Sequence, residues 1–206
     1  MPRPLRAGAV LALLLALGAI GLVLLEQALQ PALQRQERAR QLRPMQQILP
    51  AGTWDQDLLA DPVLLTDREL LGTGEPVPVY RARRAGRTEA VLFSVVAPQG
   101  YGGEIRLLVA IDAQGRVLGV RALAHRETDG LGDMIETRRS DWIERFKGRS
   151  LADPPLPRWA VRAEGGEFDA WTGATVTSRA TVAAVRDALR LVERHHAELF
   201  GAPPAR

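Results

Sequence analysis

Cysteine is missing from this 206-residue chain. Its absence excludes disulfide bridges, thiolate metal sites, iron–sulfur ligation by the chain and a lipid-bearing N-terminal cysteine. Histidine is scarce: His125, His195 and His196 are all there is. The last two are adjacent, so on a helix they diverge by about 100° and do not share a metal easily. They read as solvated helix-end residues favoured by the dipole there, and no metal site is expected. Nucleotide and hydrolase signatures are lacking too. Gly72-Thr73-Gly74 has Val77 where a dinucleotide fingerprint needs its third glycine, there is no Walker A pattern, and no Gly-x-Ser-x-Gly elbow is present. No long Lys/Arg run with interleaved aromatics accompanies the net charge of +3 and the pI of 10.1, so no nucleic-acid partner is expected.

What the chain does have is one long apolar run. Residues 7–25 read AGAVLALLLALGAIGLVLL, without a charged or polar side chain. As a helix rising about 1.5 Å per residue the run spans roughly 28 Å, close to the bilayer hydrocarbon thickness of about 30 Å. It is longer than a signal-peptide core and no clear Ala-x-Ala follows, which favours an uncleaved anchor. Arg3 and Arg6 ahead of it favour an N-terminus inside, although Arg35, Arg38, Arg40 and Arg43 behind it blunt that signal. The expected division is a cytoplasmic N-terminus at 1–6, a single transmembrane helix at 7–25, a helical stalk at 26–50 ending at Pro50, and a domain at 51–206 outside the cytoplasm. In a bacterium that means an inner-membrane protein with a periplasmic domain.

Within the domain, 52–78 is turn-rich, with a short helix suggested at 67–71. Strand patterns follow at 77–83, 89–96, 104–111 and 117–123. The last two flank a short turn at 112–116 containing Gly115, which reads as a hairpin and hence as antiparallel pairing. Helical stretches are expected from about Asp133 and over 141–146, and a further strand over 158–163. Ser178 is expected to cap a long terminal helix ended by Gly201 and Pro203. Strands grouped ahead of a terminal helix predict an α+β fold, a mostly antiparallel sheet with packed helices.

The densest chemistry lies in Asp169-Ala-Trp-Thr-Gly-Ala-Thr-Val-Thr-Ser178, where four hydroxyls surround Gly173 and Ala174 just before that helix. One reading is a capped helix with incidental hydroxyls. The other is a phosphate site: a helix N-terminus offers unpaired N–H groups and a positive dipole end, and the two small residues let another molecule approach Thr175. Asp169 adds a carboxylate suited to hydrogen bonding or to activating a hydroxyl.

Asp169-Ala-Trp-Thr-Gly-Ala-Thr175 resembles the signature of the covalent FMN-binding domain family. The G subunit of the Rnf-type ion-translocating electron transport complex and the C subunit of the sodium-translocating NADH:quinone reductase share that signature. Gly100-Tyr-Gly-Gly-Glu-Ile105 resembles the family's glycine loop. His125-Arg-Glu-Thr-Asp-Gly-Leu-Gly-Asp133 followed by Ser140-Asp-Trp-Ile143 is similar to its second signature. The likeness covers about residues 5–200, and length and pattern favour the Rnf-type branch. Asp129 stands where the family commonly has Pro. The resemblance implies FMN joined by a phosphoester to Thr175, with Thr172, Gly173, Ala174 and Asp169 around the attachment site. It places Glu127, Thr128, Leu131 and Gly132 near the flavin, with Trp171 and Tyr101 as packing partners. It also implies a separate flavin transferase using FAD and Mg²⁺, and integral-membrane and other subunits of the complex as partners. The role implied is an electron relay with no catalytic residue of its own. The alternative is a membrane-anchored sensor or scaffold domain holding flavin or another phosphate ligand noncovalently.

Overall fold

The structure, a computed structural model, describes residues 35–50 and 57–201 throughout, with Leu24, Glu26, Leu29, Gln30, Leu33, Gly52, Trp54 and Asp55 besides. The chain divides into two units, Met1–Arg43 and Pro44–Arg206. The described residues of the first unit are helical and almost wholly exposed. Among the described residues no helix is long and apolar enough to cross a membrane. The run 7–25 lies outside them, Leu24 apart.

The second unit is built on a five-stranded antiparallel meander in the order β1-β2-β3-β4-β5. The strands are β1 (Val63–Leu65), β2 (Val77–Arg84), β3 (Arg87–Gly100), β4 (Gly103–Asp112) and β5 (Val117–Ala124). Short turns enforce the antiparallel order. Ala85 and Gly86 join β2 to β3 with φ of 49° and 75°, the paired left-handed conformation that matches strand twist in a two-residue hairpin. In the β4–β5 turn one carboxylate oxygen of Asp112 accepts from Gln114 N (3.0 Å) and Arg116 N (2.8 Å), as expected of a hairpin there.

Strands β3 and β4 are central, and both of their faces are covered. Val91, Phe93 and Val95 alternate with Leu92 along β3, and all four are buried. On one face the sheet carries the helix α2 (Thr175–Arg194), which follows the short α1 (Arg68–Leu71) in the chain. Val182, Val185, Leu189 and Val192 recur at three- and four-residue spacing and form α2's buried stripe. Beside it Phe146, Trp159 and Phe168 make a closed aromatic cluster with ring centroids 4.9–6.3 Å apart. Each fully buried Phe contributes roughly 1.5–3 kcal/mol through apolar area removed from water. On the opposite face Met45 and Leu49 are buried, and Ile48 lies over Gly119, where a Cβ would stand 2.7 Å from its Cγ2. Residues 44–49 thus pack as part of the domain.

Several expectations need correction. The strand expected at 158–163 is absent: Leu156–Arg158 and Arg162–Glu164 are 3-10 turns, and a single bridge joins Val161 to Phe168. The N–H groups at the start of that stretch close local turns instead of a ladder, Arg158 N–H donating to Pro155 O (2.7 Å) and Trp159 N–H to Leu156 O (3.1 Å). The helices expected near Asp133 and over 141–146 are short 3-10 turns, Gly132–Ile135 and Trp142–Phe146, and the second does bury Trp142, Ile143 and Phe146. β3 does not stop before Pro98 but runs to Gly100, because the register shift after Ala97 accommodates the proline. β1 is not foreshadowed in the sequence, being too short at three residues to show a period. The terminal helix breaks at His195 before a last turn, α3 (His196–Phe200).

Candidate functional site: a cavity at the start of α2

Helix α2 starts three residues before the expected cap. Trp171 to Ala174 form a turn closed by Ala174 N–H to Trp171 O (2.9 Å), with Gly173 at φ 84°, a conformation costly for residues with a Cβ. Thr175 is the first helical residue, and Ala174 before it offers no side-chain cap. Ser178 sits inside the first turn: its Oγ accepts from Trp171 N–H (3.0 Å) and donates to Ala174 O (3.0 Å). It therefore ties the preceding turn onto the helix instead of capping it. The N–H groups of Thr175, Val176 and Thr177 are left without intrahelical partners, at the positive end of a 20-residue helix.

These residues border a cavity of about 430 Å³. Gly173, Ala174, Thr175, Val176 and Thr177 form one wall. Glu127, Thr128, Leu131 and Gly132, from the loop after β5, form the second, and Tyr101 from the β3–β4 turn forms the third. Eight of the anticipated residues therefore converge: Thr175, Gly173, Ala174, Glu127, Thr128, Leu131, Gly132 and Tyr101. Thr172 is exposed and does not line the cavity, and Trp171 packs against the core instead. Asp169 is engaged elsewhere. Its carboxylate pairs with Arg145 and with Arg162 (3.0 Å), and its backbone oxygen accepts from Trp142 Nε1 (2.7 Å). Sequence reasoning misses Val176 as a lining residue and Thr177 as a structural donor. Their place in the first turn beside Thr175 is the signal that finds them, once the helix start is read correctly.

Glu127 joins the three walls. One carboxylate oxygen accepts from Gly102 N–H (2.9 Å) in the β3–β4 turn, and the other accepts from the Thr177 hydroxyl on α2. Its own N–H donates to His125 Nδ1 (3.2 Å), and His125 Nε2 meets Glu136 Oε1 (2.9 Å). A hydrogen bond from Arg138 holds the Glu136 carboxyl below its ordinary pKa; partial burial opposes this and His125 assists it.

The arrangement suits an anion at the helix start and a flat apolar group at the rim, where Tyr101, Leu131 and Val176 are exposed. The Thr175 hydroxyl has no hydrogen-bond partner among the described residues, and no carboxylate is bonded to it. An alcohol is a weak nucleophile without an adjacent base, so the folded domain does not activate Thr175 by itself. No cluster of three metal-ligating side chains occurs among the described residues. A wider groove of about 1140 Å³ lies at the β2–β3 hairpin. Arg81 and Arg83 there pair with Asp61 and Arg84 lies 5.0 Å over Trp54, and the groove holds none of the residues expected around the cofactor.

The family described as an FMN-binding domain matches residues 100–190, a span that contains every residue lining the cavity. A Shewanella baltica protein, named as the G subunit of an ion-translocating oxidoreductase complex, is 40% identical over 204 residues, 98% of this chain and 96% of its own. The chain belongs to this family of G subunits. Other members are comparably similar: that of Pseudomonas aeruginosa is 43% identical over 199 residues (96% of this chain, 93% of its own), and that of Stutzerimonas stutzeri is 45% identical over 184 (89% and 78%). For a G subunit of such a complex, the unpaired N–H groups and free hydroxyl at the start of α2 fit the phosphate of FMN, and the apolar rim fits its ring.

Proposed function

We propose that this subunit carries FMN joined through a phosphoester to Thr175, and relays electrons through it within an ion-translocating oxidoreductase complex. The observation that carries the reading is the placement of Thr175: a hydroxyl without a partner among the described residues, first residue of a long helix, on the wall of the cavity enclosed by the FMN-binding match. The bound flavin supplies one- and two-electron chemistry. The protein contributes position. The N–H groups of Thr175, Val176 and Thr177 hold the phosphate, Gly173 and Ala174 let it approach, and Leu131, Thr128 and Tyr101 enclose the ring. The ester bond retains the cofactor whatever its affinity, which a domain outside the cytoplasm needs.

Attachment falls to a separate flavin transferase using FAD and Mg²⁺. The Thr175 oxygen bonds to the flavin-side phosphorus, the pyrophosphate bond breaks with AMP leaving, and the hydroxyl proton passes to a base of that enzyme. Asp169 and Thr172, outside the cavity, serve as part of its recognition sequence. The run 7–25 anchors the chain in the inner membrane among the integral subunits, and 26–43 extends from it as a stalk.

The test is flavin fluorescence of the denatured protein on a gel, after production with the transferase. Wild type fluoresces and Thr175→Ala is dark. Fluorescence persisting in the variant overturns the site. Yellow colour that is lost in denaturant points instead to a noncovalent flavin-binding domain.

A further inference from the structure

Two carboxylates of the domain are almost fully buried, and their surroundings differ. Asp133, 1% exposed, has Arg139 Nε at 2.9 Å. Glu127, 7% exposed and lining the cavity, has only neutral donors among the described residues, the Gly102 N–H and the Thr177 hydroxyl. His125 takes the Glu127 N–H at Nδ1 and turns its Nε2 to Glu136, away from the Glu127 carboxylate. Arg138 is tied to Glu136, and Arg126 is exposed.

The fold makes room for this carboxylate. A Cβ at Gly100 would lie 2.8 Å from Glu127 Oε1, and one at Gly132 would lie 2.6 Å from Glu127 Cβ and 3.0 Å from Oε2. A Cβ at Gly102 would stand 1.9 Å from the carbonyl oxygen of Arg126. Gly132 thus leaves room for the Glu127 side chain, Gly100 for its carboxylate as well as for Gly103 O (2.3 Å), and Gly102 for the backbone just before it. Burying a carboxylate without a cation is costly, and a neutral side chain could have filled the space.

We propose that Glu127 is a positioning residue whose buried negative charge sets the reduction potential of the flavin, holding it low. The inference rests on the flavin reading of this cavity. An electron delivered there adds negative charge beside a carboxylate with no cationic partner, in surroundings where Coulomb repulsion is less screened than in water. The dipole of α2 offsets part of that repulsion, but the phosphate shares it. Electrons entering from the donor are therefore held weakly and pass on readily to the acceptor in the complex.

The test is a spectroelectrochemical titration of the full flavin-bearing chain in detergent. Glu127→Gln is expected to favour reduction at least tenfold, a rise of about 59 mV for one electron. Glu127→Asp keeps the charge and stays near wild type. Thr177→Val keeps the charge but removes one of its donors, and moves the potential down. A role confined to packing predicts altered melting and flavin occupancy at unchanged potential in all three, and that result overturns the proposal, as does an equal shift in the Asp and Gln variants. If Glu127→Gln does not fold, Thr177→Val decides: a lower potential supports the charge and an unchanged one overturns it. A wild-type chain without flavin overturns both readings, whereas flavin on the wild type with an indifferent Glu127 removes only this one.

Discussion

Gly132 shows how much a single missing side chain controls. It lies on the cavity wall, and its neighbour in space is the Cβ of Glu127, an atom too close to the backbone to swing aside. Gly132→Ala is therefore an overpacking change, expected to destabilise the domain by about 1–3 kcal/mol. Urea denaturation of the flavin-free protein checks it, and wild-type stability in the variant would mean the contact relaxes at no cost. Ser178 makes the complementary point. It reads as a cap in the sequence, yet it holds the Trp171 turn to the helix from within the first turn. A serine near a helix start is a natural cap by residue type alone. Where the helix starts is decided by the turn before it, and that turn depends on Gly173 and on contacts with the 127–132 loop, since a Cβ at Gly173 would meet Leu131 Cδ2 at 3.1 Å.

At the scale of elements, α1 is held to the far end of α2 by two carboxylates, Glu69 paired with Arg190 (3.5 Å) and Arg194 (3.8 Å), and the more buried Asp67. Asp67 caps α1 by accepting from Leu70 N–H (3.0 Å), and it receives Arg194 of α2 at 2.6 Å. Burial works against its charge, but the Leu70 N–H and the Arg194 guanidinium outweigh burial and hold its pKa below the ordinary 3.8. A depressed folded pKa means the stabilisation is present above the unfolded value and is lost as pH falls through the folded one. Asp67→Ala is therefore expected to cost about 1 kcal/mol near neutral pH, with the gap to wild type closing in acid. Denaturation of both proteins at neutral pH and below pH 3.8 measures it; an equal gap at both would remove the charge from the explanation. The strands are the most legible elements, because β2 to β5 are long enough to show their apolar runs and turns. The 3-10 segments are not, because turns of three to five residues carry no period and are fixed by the aromatic cluster they enclose.

At the scale of the whole molecule, the FMN domain and the apolar run at 7–25 make separate demands. The run is long enough for one membrane crossing, and the orientation proposed above, with the N-terminus inside, would put the FMN-binding domain in the periplasm. Protease added to intact spheroplasts should then digest the domain while a cytoplasmic marker survives. A protected domain in those cells would reverse the orientation.

Neighbouring residues alone carry the meander, in apolar runs broken by short turns, the long amphipathic helix, and the Asp169–Thr175 stretch that resembles the family's signature. Tertiary structure alone decided which of these residues meet. Gly102 and Thr177 reach Glu127 across 25 and 50 positions of chain, and Asp169, only six residues from Thr175, turns to Arg145 and Arg162 instead. Local pattern follows from backbone periodicity and side-chain polarity. A cavity wall requires separate segments to be brought together by a shared core, and no short stretch of sequence encodes that.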